Sequence, residues 1–294
     1  MKYINHITTL ALLVLVACQS KQQSSENTEE ETLTPQLSLV WESDTLLTTC
    51  ESALYHGESA TIYVANINQG PWEKDGNGFI SKLDTNGNIL SIKWAVGLHA
   101  PKGMGIHDGK LYVNDIDDIV EIDLATGSIS NTYTLPDNPQ LNDLTIGKDG
   151  TVYASGSNSN SIHVLQNGEI VATHGLDSVQ RLNGLLATDN GMYFLDFKGG
   201  AFGLLDLDAG TTSTVATGIT QGDGIVQLPN NDFITSAWGG QLFYIEGKTG
   251  KSTLLLDTRE QSINAADIDY ISEQNLLLVP TFFHNRVMAY RVEF

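Results

Sequence analysis

Six positions in this sequence, Glu51, Lys102, Asn142, Asn183, Asp223 and Ala266, hold the same place in a recurring unit of roughly 40–50 residues. Four of the six carry side-chain oxygen. Glu51 and Asp223 with the amides of Asn142 and Asn183 make a hard donor set bearing two negative charges, which suits Ca2+ with waters in its remaining positions. Neither His nor Cys occupies a slot, which disfavours Zn2+. Asp223 shows why a cation is wanted: in "GDGIVQ" it enters an apolar strand, where an uncompensated carboxylate is costly. A second reading stays open, in which these side chains only bond backbone amides at strand starts. Lys102 is the odd member. Its side chain either reaches outward to a substrate carboxylate or phosphate, or is held by packing or by an ion pair with Asp143.

The elements that must position these residues are short strands. Each unit opens on an apolar strand, turns through Gly, Asp or Asn, and continues into a β-rich segment such as "TIYVAN", "KLYVND" or "TVYASG". A third strand ("FISKLD", "SIHVLQ", "QLFYIE") and an outer one ("STLLLDT") complete it. Six copies of a four-stranded unit predict an all-β, six-bladed β-propeller. The last copy stops after its third strand. "LSLVWES", ahead of the first copy, is therefore expected to supply the outer strand of the last blade and close the ring. Inner-strand starts surround one mouth of a propeller's channel, so the ring residues are expected to converge there.

Loops at that rim hold aromatic residues: Trp72 in "GPWEK", Trp238 in "SAWGG", and Phe282 and Phe283 in "PTFFHN". With Lys102 they are expected to bind a small-molecule substrate beside the metal. A bound cation would polarise a carbonyl or phosphoryl oxygen, and hydrolysis would need a base. His284 and His99 qualify by loop position, and Asp143 and Asp267 by standing one residue beyond a ring slot. "EGKTGKST" lacks the first glycine of a phosphate-binding loop, and no Gly-x-Ser-x-Gly elbow accompanies a His/Asp pair, so neither a nucleotide nor serine-hydrolase chemistry is expected.

Composition narrows the partners. With 35 acidic against 15 basic residues, the net charge of −20 argues against nucleic acid and suits an extracytoplasmic domain with cation sites. The first 17 residues read as a leader, with Lys2 followed by an apolar run too short to span a bilayer. Residues 18–35 are polar and predict a disordered tether, and residues 36–294 the propeller. Leu15-Val16-Ala17-Cys18 resembles the lipobox of bacterial lipoproteins, which implies lipidation of Cys18, a membrane anchor, and placement in the cell envelope at the outer membrane. An ordinary cleaved signal peptide is the alternative. Cys50 is then the one free thiol.

The propeller as a whole resembles the calcium-dependent six-bladed SMP-30/gluconolactonase group, relatives of diisopropyl-fluorophosphatase and the paraoxonase-type enzymes. That group holds its metal with a Glu on the first blade, Asn on the third and fourth, and Asp on the fifth. Glu51 in "TCESALY", Asn142 in "LNDLTI", Asn183 in "RLNGLL" and Asp223 in "GDGIVQ" fall on those blades in that order. Cys50 and Ser52 around Glu51, and Lys102 in the second-blade slot, depart from the pattern. The resemblance implies a calcium-dependent hydrolase of a lactone or related ester. The alternative is a non-catalytic propeller lipoprotein that binds a small molecule, glycan or protein at the same rim.

Overall fold

The computed structural model describes residues 1–3, 33–207 and 209–294. Cys18, with nearly all of the leader and tether, lies outside the described residues. Residues 33–294 form one compact unit.

The strands are short because turn residues interrupt them at regular intervals. Asp108 and Gly109, both at positive φ, make a two-residue turn between His107 and Lys110, the hairpin geometry that matches strand twist. Blade 1 is β2 (Cys50–His56), β3 (Thr61–Asn66), β4 (Gly78–Asp84) and β5 (Ile89–Leu98). Blade 2 runs from β6 (Pro101–His107) through β7 (Lys110–Asp115) and β8 (Asp118–Asp123) to β9 (Ile129–Thr134). Blade 3 holds β10 (Leu141–Ile146), β11 (Val152–Gly156), β12 (Ser161–Gln166) and β13 (Glu169–Gly175). Blade 4 holds β14 (Leu182–Thr188), β15 (Gly191–Asp196), β16 (Ala201–Asp206) and β17 (Thr211–Thr217). Blade 5 holds β18 (Gly222–Gln227), β19 (Phe233–Ala237), β20 (Gln241–Ile245) and β21 (Ser252–Asp257). In each, sequential antiparallel pairing runs from the inner strand to the outer.

The sixth blade is built from both ends of the unit. β22 (Asp269–Ile271), β23 (Leu276–Pro280) and β24 (Val287–Glu293) are completed by β1 (Gln36–Glu42), which pairs antiparallel to β24 from Gln36↔Glu293 to Glu42↔Met288. The expected closure is therefore the one observed. Ala266 does not open the last inner strand as expected. β22 starts at Asp269, and the segment before it is held instead by Ala266 N–H to Pro280 O (3.0 Å) and Asp267 N–H to Glu51 O (2.9 Å).

Apolar residues fill the spaces between blades. Val226 and Ile234 meet Leu277 and Met288 between blades 5 and 6, and Ile62 and Val64 meet Leu278 and Ala289 between blades 6 and 1. Cys50 belongs to this second cluster, where burial pushes its thiol up to about 12 and leaves it a packing residue rather than a nucleophile.

A candidate ligand and metal site at the channel mouth

Five inner strands break register where the ring residues stand. The pairing shifts between Cys50 and Ser52, Pro101 and Met104, Leu141 and Leu144, Leu182 and Leu185, and Gly222 and Ile225. Glu51, Lys102, Asn142, Asn183 and Asp223 are each the second residue of their strand and fall within that bulge. A bulge frees a residue from the ladder and re-aims its side chain. The inner strands also approach closely here. A Cβ on Gly184 would collide with the Asp223 carbonyl oxygen, and one on Gly224 would lie 2.8 Å from Asp267 Oδ1.

The loops entering the inner strands are pinned by acids at the ends of the second strands. Asp115 accepts the N–H groups of His99 (2.8 Å) and Ala100 (2.6 Å), just ahead of Lys102. Asp196 does the same for Gln180 and Arg181, both at 3.0 Å, just ahead of Asn183. Sequence reasoning missed this pair, although both acids close the second strand of their repeat.

Glu51, Asn142, Asn183, Asp223 and Lys102 all line one cavity of about 250 Å3. Glu51, Lys102, Asn183 and Asp223 are only 2–4 % exposed. The Asn183 amide donates to Asp223 Oδ1 at 2.8 Å, which leaves Asn183 Oδ1 buried without a partner. Glu51 Oε2 is buried and unpartnered as well. Asn142 turns its amide N–H to Ser157 Oγ at 3.3 Å. Two orphaned acceptors beside a second carboxylate make a region that lacks positive charge or donors.

Lys102 does not supply them. Its Nζ donates to the carbonyls of Pro71 (2.6 Å) and Ala100 (3.0 Å) and lies 4.2 Å from the centre of the Trp72 ring. Among the described residues it makes no ion pair, and the pairing with Asp143 weighed from sequence is not formed. Burial drives its ammonium down to about 8, against the pull of Glu51, Asp115 and Asp223. Burial raises Asp223 to about 7, opposed by the Asn183 hydrogen bond and by Lys102. Glu51 is pushed well above the usual carboxylate range by burial and by Asp223. A ring short of positive charge keeps protons.

Aromatic side chains wall the cavity. Trp238, Phe282 and Phe283 form an edge-to-face group with centroids 4.8–6.0 Å apart, and Trp72 covers Lys102. Arg181 and Phe197 complete the lining and were missed from sequence. The available signal was alternation: Arg181 stands two residues before Asn183 in "RLNGLL", the spacing that returns a side chain to the same face.

None of the four candidate bases lines this cavity. His99 accepts the Gly76 N–H through Nδ1 at 3.0 Å, and half-buried His284 sits in the turn closed by its N–H to Thr281 O. Asp143 and Asp267 line a second cavity of about 240 Å3, with Ser52 and Asp269. Asp143 accepts the N–H groups of Leu144 and Leu185, both at 2.6 Å, and burial lifts it to about 8. Asp267 accepts from Ser52 Oγ at 2.6 Å, and burial, Asp143 and Glu51 hold it well above its ordinary value. One step along a strand carries a side chain about 3.3 Å onward and to the opposite face, so Asp143, next to Asn142 on β10, does not share its cavity.

No protein-family model matches the chain, and no curated protein matches it. Solved structures do. Virginiamycin B lyase from Staphylococcus aureus, in a catalytically inactive form with quinupristin, superposes with a TM-score of 0.62 at 14% identity over 88% of this chain and 99% of its own. A streptogramin B lyase structure gives a TM-score of 0.66 at 13% identity over 88% of this chain and 98% of its own. The WD40 β-propeller domain of Doa1 gives 0.61 at 13% identity over 82% and 78%. At these identities the likeness carries the fold. The chain is a six-bladed β-propeller, and propeller enzymes are among its structural neighbours.

Proposed function

We propose that the protein is a Ca2+-dependent hydrolase of a small lactone or related ester, with the mouth cavity as its active site. The observation that carries this is the pair of buried, unpartnered oxygens, Glu51 Oε2 and Asn183 Oδ1, beside Asp223. The donor set fits a hard cation. Glu51 and Asp223 balance two charges while Asn142 and Asn183 add neutral oxygens. Among the described residues no three His, Cys, Asp or Glu side chains gather as a metal site, so the set depends on its amides and does not suit a metal that prefers nitrogen or sulfur. When bound, the cation would polarise the scissile carbonyl and acidify a water. The chain's own part is to seat the apolar body of the substrate against the aromatic wall of Trp238, Phe282 and Phe283, to exclude bulk water, and to take up a proton. The acids lining the cavity are Glu51 and Asp223, so that proton passes to one of them rather than to His99, His284, Asp143 or Asp267. The correspondence of these residues with the SMP-30/gluconolactonase pattern supports the same reading.

Calorimetric titration with Ca2+ of the protein and of Asp223→Asn tests it, followed by a panel of lactones and aryl esters before and after chelation. One Ca2+ site lost in the variant, with turnover lost on chelation, is the expected result. Undiminished turnover in metal-free protein overturns the proposal. A second reading, a non-catalytic binding protein, is favoured by Lys102 in the ring and by the absence of His from the cavity. Ca2+ binding with no hydrolysis of any ester would select it. We also propose that Cys18 is lipidated and anchors the protein at the outer membrane. A Cys18→Ala variant should leave the membrane fraction, and one that stays there excludes the anchor.

A further inference from the structure

Arg181 is a cation that no described residue pairs with. Its guanidinium makes no ion pair and no hydrogen bond among the described residues, although acids outnumber bases 35 to 15 in the chain. It is half-buried, lines the mouth cavity, and lies 5.6 Å from the centre of the Phe197 ring, which fixes one face of it. Its backbone is clamped on both sides, by its N–H to Asp196 Oδ1 at 3.0 Å and by its carbonyl accepting the Phe197 N–H at 2.8 Å. The position is therefore set by the main chain, and the fork of the side chain is spare.

The cavity is bipolar. Glu51 and Asp223 offer acceptors to a cation, while Arg181 offers donors to an anion, and aromatic side chains share the lining. Arginine presents parallel N–H groups that match a carboxylate bidentately, and the partial desolvation of a cavity mouth strengthens the pair. A cavity of about 150 Å3 accommodates benzene. At about 250 Å3 this one has room for one ring and a short substituent. We propose that Arg181 is a specificity-determining residue and that the ligand is a small molecule with one aromatic or compact apolar body and one carboxylate, the carboxylate held by Arg181. This rests on the reading of the cavity as a small-molecule site and names the substrate class within it.

The test uses the full chain and two probes of matched shape, 3-phenylpropionate and its neutral amide, followed by the fluorescence of Trp72 and Trp238 or by calorimetry. The acid should bind at least about tenfold more tightly than the amide, the usual scale of a charge-assisted bond. Arg181→Gln should lose that preference while keeping its affinity for the amide and for Ca2+. Arg181→Lys, which keeps the charge without the fork, should retain part of it. Equal affinity for acid and amide, no saturable binding of the acid, or a preference that survives in Arg181→Gln overturns the assignment. The last outcome would place the carboxylate on the metal instead. Ca2+ titration of the same samples separates the two proposals. An Arg181-dependent preference without any Ca2+ site would sustain this inference and remove the metal from the function.

Discussion

At the residue scale the ring is defined by charge it does not balance internally. Asp223 titrates at about 7 in the folded protein against an ordinary 3.8, chiefly because it is buried. Between those values the folded state holds a proton that the unfolded chain has released, so stability falls as pH rises through that window. Removing the ionisable group removes the penalty. In chelator, Asp223→Asn should therefore unfold at a higher temperature than the parent at pH 8, by roughly 2–4 °C for each kcal/mol of penalty removed, and the gain should vanish near pH 4. A thermal melt series across that range decides it. A gain that does not change with pH, or that grows toward acid, contradicts the assignment. Saturating Ca2+ should reverse the order at pH 8, because only the parent carries the full donor set.

The working element is the bulged inner strand. The break in register puts Glu51, Asn183 and Asp223 into the channel mouth, and the glycine after Asn183 or Asp223 lets the neighbouring inner strand come close. Gly224→Ala sets a methyl against main chain, at Ile268 N and Asp267 Cα, which cannot swing aside as a side-chain tip would. Overpacking of this kind costs about 1–3 kcal/mol. Urea unfolding should show that loss together with weakened Ca2+ affinity, since the strand carrying Asp223 must shift. Gly175→Ala, on the outer strand of blade 3 with open space around it, is the control and should stay within about 0.5 kcal/mol. If both variants match the parent in stability and in metal binding, the close approach does not position the site.

For the whole molecule the decisive feature is closure. β1 crosses from the start of the unit to the last blade, and its Trp41 reaches on to the first blade. Trp41 Nε1 donates to Thr85 O at 3.1 Å, its ring covers the turn at Gly87, and Glu42 pairs with Arg286. A ring whose last blade is stitched by its own first strand unfolds as one body, because opening any seam exposes the core between two blades. Trp41→Ala should therefore cost about 2 kcal/mol, less than a fully buried Trp because the side chain is half-exposed. The transition should remain single and cooperative, checked by comparing circular dichroism with fluorescence melts. Separate transitions would mean that the blades next to the seam come apart independently.

Repetition made the architecture readable from the residues alone. Six copies of strand, Gly/Asp/Asn turn and strand determine the blade, and an incomplete last copy with a spare strand ahead of the first determines the closure. The shared cavity of Glu51, Asn142, Asn183 and Asp223 follows from the same equivalence, because like positions in a ring face one axis. What repetition does not encode is the local departure from it. The register breaks depend on how two strands meet, so neither strand's sequence shows them alone. In β10 the break accompanies a parting of neighbours, Asn142 lining the mouth and Asp143 the second cavity, which Asp267 reaches from the segment ahead of β22. The slot of Lys102 leaves open whether it reaches outward or is held, and two carbonyls and the Trp72 ring from a loop of blade 1 hold it. Arg181 carries no motif, and that its guanidinium has neither ion pair nor hydrogen bond among the described residues depends on which acids fold near it and which do not. Strand pattern and period are local properties of the chain. Side-chain partnership is settled only when distant strands are brought into contact.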